Sequence, residues 1–76
     1  MTSTQNLLVS LDKVLEFSSK LIALSLREQK PKTSQVDEVR HHCEQLSKAG
    51  IYAFDAECDD QTLFKQIEEF AEHING

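Results

Sequence analysis

The chain has 76 residues and a net charge of −5, with 13 Asp/Glu against 8 Lys/Arg. A chain this short buries only ~60% of the surface that its unfolded form exposes, so one small domain with a thin core is expected. The acidic balance argues against the basic surface that non-specific nucleic-acid binding requires.

The two cysteines, Cys43 and Cys58, are too few for a disulfide-dense scaffold. The first residues, MTSTQN, lack the basic start of a secretory signal, and Asp12 and Lys13 interrupt the apolar run that follows. The longest uncharged apolar run after that, 21–26, is too short to span a bilayer. A cytoplasmic protein with no membrane partner is expected. Charge is also unevenly placed: residues 1–50 balance to +1, whereas residues 51–76 set only Lys65 against seven acids. An acidic end of this kind suits a basic protein partner.

In chain order, the first predicted helix covers 5–29, with Ser3 or Thr4 placed to cap it. Its apolar residues, among them Leu7, Leu8, Leu11, Val14, Leu15, Phe17, Leu21, Ile22, Leu24 and Leu26, spread over roughly 200° of the helical wheel. So wide a face needs cover from two directions, by its own chain, a partner or a second copy. A homodimer through this helix is one expected outcome, with a strip around Phe17 and Leu24 as its contact. Ser18 and Ser25 lie within the apolar arc, where small residues permit close helix packing. Neither has a base or an oxyanion site nearby in the sequence. Arg27, Lys30 and Lys32 gather at the helix end, where cations suit the macrodipole, and Pro31 ends the helix nearby.

A second helix is predicted over 35–49, opened by the capping-box variant Ser34-Gln-Val-Asp37. Val36, Val39, Cys43 and Leu46 form its narrow apolar stripe. Gly50 is placed to take the left-handed position that closes a Schellman motif, with Ile51 following. The connector 50–60 is expected to be irregular or briefly helical, because a lone strand has nothing to pair with. A third helix, 60–75, follows an Asp59 or Asp60 cap, and Leu63, Phe64, Ile67, Phe70, Ala71 and Ile74 make its apolar face. The sequence thus predicts an all-α fold, a small antiparallel three-helix bundle in a single domain, 1–76.

No residue pattern points to catalysis, a metal or a cofactor. His41, His42, Cys43 and Cys58 carry metal-ligand chemistry, but no two on one helix are spaced three or four apart. A metal or redox sensor built on these four is the alternative reading. Asp55-x-Glu57-x-Asp59-Asp60 begins like a calcium loop, yet Asp60 and Gln66 stand where that loop needs Gly and Glu. In length, charge and helix content the chain resembles an acyl carrier protein, but the Asp-Ser-Leu that would carry the prosthetic group is absent. Ser10 follows Val9, and Ser25 follows Leu24. The chain is also similar in size and charge to small acidic immunity proteins, whose paired tyrosines are missing because Ala53 follows Tyr52.

Glu68, Glu69 and Glu72 are the more informative acids. They sit in the C-terminal half of their helix, where negative charge opposes the macrodipole, so helix stability does not account for them. Together with Asp55, Glu57, Asp59 and Asp60, and with Tyr52 and Phe54 as aromatic anchors, they form the expected partner-binding surface. The function expected is therefore a small, acidic, non-catalytic protein–protein interaction module of adaptor, immunity-like or secretion-chaperone-like type.

Overall fold

The computed structural model describes residues 2–75, and side chains from residue 5 onward. It contains three helices: α1 (Thr2–Leu26), α2 (Thr33–Lys48) and α3 (Asp60–Asn75). The caps expected at Ser3 or Thr4 lie outside the described side chains.

α1 is the central helix, and both others pack on it. Val14, Phe17 and Leu21 meet Val36, Val39, Cys43 and Leu46 of α2 and Leu63, Ile67 and Phe70 of α3 in one buried cluster. α2 is antiparallel to α1. Ser10, near the start of α1, meets His42, near the end of α2, at 3.0 Å, while Gln35 shares a cleft with Phe17 and Lys20.

α3 is antiparallel to α1 as well. Phe64, in its early part, stands 5.8 Å from Phe17 and shares a groove with Leu21 and Leu24. Phe70, further along, meets Tyr52, which lies just past the end of α2. Since α2 and α3 point the same way, the connector between them must carry the chain back along the bundle before α3 can start. A tight turn could not do this.

The helix ends refine the boundaries read from sequence. α1 stops at Leu26 rather than at 29. Glu28 adopts φ 56, its amide donates to the Ser25 carbonyl (3.1 Å), and the Gln29 amide reaches the Leu24 carbonyl (2.8 Å). These two bonds define a Schellman motif, formed here by a glutamate with no glycine to announce it. Arg27, Lys30 and Lys32 therefore lie beyond the helix instead of in its last turn.

α2 starts two residues before the predicted position. Lys32, extended at φ −71 and ψ 149, is its N-cap. Ser34 falls inside the first turn, and the Gln35 side chain accepts the Lys32 amide at 3.2 Å. The far end agrees with expectation. Gly50 has φ 74, its amide donates to the Ser47 carbonyl, and the Ile51 amide reaches Leu46 at 3.0 Å. Residues 51–59 are irregular, with no strand.

Candidate functional site

The connector is built from outside its own sequence. Arg40, midway along α2, donates through Nη1 to the carbonyls of Ala56 (2.7 Å) and Cys58 (2.6 Å). Its Nη2 pairs with Asp60 Oδ1 at 2.7 Å. From the other side, Gln66 of α3 accepts the Asp55 amide at Oε1 (2.8 Å) and donates from Nε2 to the Asp55 carbonyl and to Cys58 Sγ, each at 3.1 Å. The Cys58 thiol donates to the Asp55 carbonyl at 2.9 Å, and Asp55 Oδ1 accepts the Glu57 amide at 3.1 Å. An aromatic cluster anchors the start: Tyr52 stands 4.9 Å from both Phe54 and Phe70, and Phe54 is 5.2 Å from Phe70.

This framework presents acids outward. Asp55, Glu57 and Asp59 are exposed on the connector, and Glu68, Glu69 and Glu72 on α3. Turning around α3 from Gln66, which faces the connector, Glu69, Glu72 and Glu68 follow over about 160°. The connector acids and the helix acids thus make a belt around one side of α3, with Lys65 as its cation. Among the described residues the ion pairs are Arg40–Asp60 and Lys48–Glu44, so the belt acids face solvent without a cationic partner in the fold. Glu68 also lines a groove of about 610 Å³ with Leu21, Leu24 and Phe64.

Two residues expected on the binding surface belong elsewhere. Phe17 and Phe54 are each 6% exposed and belong to the core. Phe17 turns between α2 and α3 on the covered side of α1, and Phe54 closes the base of the connector against Phe70. Tyr52 is half-buried and Leu24 partly so. Asp60 remains at the surface, but its carboxylate is engaged by Arg40.

The histidines and cysteines do not assemble into one cluster. Cys43 is fully buried, and burial pushes its thiol up to about 12, so the reactive thiolate is scarce at neutral pH. Cys58 is tied to Asp55 and Gln66. His41 is exposed, and among the described residues no three His, Cys, Asp or Glu side chains converge as a metal would need.

Sequence reasoning missed Ser10, Arg40 and Gln66. Ser10 is 3% exposed and lies 3.0 Å from Nδ1 of His42. A serine beside a histidine is the elementary pair of nucleophilic catalysis. Here the cleft next to the pair is lined by His42 and not by Ser10, so the buried hydroxyl ties α1 to α2. Desolvation lowers the His42 pKa from 6.5; Glu38 opposes this, while His41 and Lys13 reinforce it. Ser25, assigned to close packing with Ser18, is exposed, whereas Ser18 is 5% exposed and fits that role.

Comparison with protein-family models, curated proteins and solved structures finds no match to this chain.

Proposed function

We propose that this protein is a small, non-catalytic interaction module that presents a pre-shaped acidic surface to a basic protein partner. The observation that carries this reading is the connector. Its backbone is pinned by Arg40 and Gln66 so that Asp55, Glu57 and Asp59 stand beside the Glu69–Glu72–Glu68 side of α3. Like charges held together in this way cost folding free energy, and a complementary partner recovers it on binding. Holding the loop in place beforehand also reduces the entropy lost on association. Tyr52, half-buried next to the belt and 6.1 Å from His73, adds an aromatic edge of the kind that anchors interfaces.

The test is affinity capture from a host lysate with the wild-type chain and with the E68K/E69K/E72K variant. A basic protein retained by the wild type, lost with the variant and released as salt rises through the physiological range supports the reading. Equal retention by both proteins, or retention indifferent to salt, removes the acidic surface from consideration.

A further inference from the structure

The groove of about 610 Å³ that Glu68 borders lies where the end of α1 meets the starts of α2 and α3. Its floor is apolar. Leu21 and Val36 are buried beneath it, and Leu24 and Phe64 are half-buried along it. Its walls carry charge: Glu28 stands on the link between α1 and α2, Glu68 on α3, and Lys30 is the cation that lines it. Asp60 lines it too, but its carboxylate is held by Arg40. Among the described residues neither Glu28 nor Glu68 is ion-paired, so two free carboxylates outweigh one ammonium.

Glu28 adds an observation of its own. Its φ of 56 is a conformation that a side chain disfavours, and glycine closes a Schellman motif at lower cost. A glutamate stands there instead, exposed, with its side chain on the groove wall. A residue held against its backbone preference at the edge of a cleft points to a use for the side chain.

We propose that this groove takes large apolar side chains of the partner, while Glu28 and Glu68 pair with the lysines or arginines that flank them. The occupant is a basic peptide segment bearing leucine or phenylalanine. This rests on the reading of the acidic surface as the partner's contact, which Glu68 shares, and gives that surface an apolar anchor. An acidic or uncharged apolar segment would desolvate both carboxylates without a countercharge, which is costly. A wholly polar basic segment would gain nothing from the floor. A free small molecule needs about 70–90% of its surface enclosed, whereas exposed Glu28, Lys30, Gln61 and Glu68 leave this groove open at its rim. A segment already held by the belt needs no such enclosure, because its second contact forms within the same complex.

Amide chemical shifts of the isotope-labelled full chain, titrated with three synthetic peptides, test this. The first peptide repeats Leu-Leu-Lys-Lys, the second has serine for leucine, and the third has glutamate for lysine. The first is expected to shift Leu24, Val36 and Phe64 and to bind about tenfold or more tighter than either of the others. Leu24→Lys should weaken it by about tenfold. Glu28→Gly should weaken it by about threefold without lowering the melting temperature, since the backbone there suits glycine. The E69K/E72K variant, which spares the groove, should keep the shifts at Leu24, Val36 and Phe64. No binding by the first peptide, equal binding of all three, shifts confined to the surroundings of Glu69 and Glu72, or affinity indifferent to Leu24→Lys or to Glu28→Gly overturns the proposal. The same shifts on concentrating the chain without peptide would mean that a second copy fills the groove, and overturn it as well. Each of these failures leaves the acidic belt to be judged by salt-dependent capture, so the two readings fail separately.

Discussion

The link between α1 and α2 is closed by backbone bonds that span at most five residues, from Leu24 to Gln29 and from Lys32 to Val36. The link between α2 and α3 depends on Arg40 reaching 16, 18 and 20 residues ahead and on Gln66 reaching 11 back. The first is a local turn that its own residues specify. The second is a crossover, needed because α2 and α3 point the same way along α1, and it has no local pattern to hold it. A segment fixed by distant side chains can carry several acids without collapsing, provided that those side chains are present.

The sharpest way to break this contrast is Arg40→Ala. It should lower stability by about 2 kcal/mol in chemical denaturation, because two connector carbonyls lose a charged donor. The Asp60 pair, with its carboxylate 62% exposed, adds little to that figure. The same variant should open residues 55–59 to proteolysis before the helices yield. Gln66→Ala removes the opposite clamp and should cost about 1–2 kcal/mol, again with the added cleavage confined to the connector.

The local turns respond to backbone geometry alone. Gly50→Ala forces a side chain onto φ 74, where the added carbon meets nothing within 4 Å. The expected loss of about 1 kcal/mol is thus conformational. Glu28→Gly should act in the opposite direction. It relieves a left-handed glutamate but adds freedom to the unfolded chain, for a net gain of about 0.5 kcal/mol. A fall in melting temperature with Glu28→Gly would mean that the glutamate side chain does something the backbone does not.

The smallest effect is at the α1–α2 seam. Because the folded-state pKa of His42 lies below 6.5, the unfolded chain binds the proton more readily. The contribution of the neutral imidazole is complete above 6.5 and is lost as pH falls through the lowered value. Melting curves of the wild type should decline over that interval more than those of His42→Gln.

Helix existence and type were legible in the residues because each helix carries its own period. Val36, Val39, Cys43 and Leu46 recur at three and four, as do Leu63, Ile67, Phe70 and Ile74, and all of these except Ile74 are buried. Gly50 was legible as well, since the left-handed position favours a residue without a side chain. Glu28 was not, because the left-handed position is closed there by local backbone bonds to Ser25 and Leu24, with no glycine to mark it. Among the residues expected to bind a partner, the acids are exposed. Phe17 and Phe54 were misplaced, because an aromatic residue near a polar segment serves equally as anchor or as core.

Local periodicity and charge by themselves determined three helices, a wide apolar face on the first, and an acidic final third. Only the tertiary structure decided which part of that wide face is covered. Two antiparallel neighbours leave Leu8, Ile22 and Leu26 in water while they bury Val14, Phe17 and Leu21. It also decided that α3 runs alongside α2, and so that Arg40 and Gln66 meet the connector. Side chains 11 to 20 residues from their partners leave no periodic trace, because their pairing depends on where whole helices come to rest.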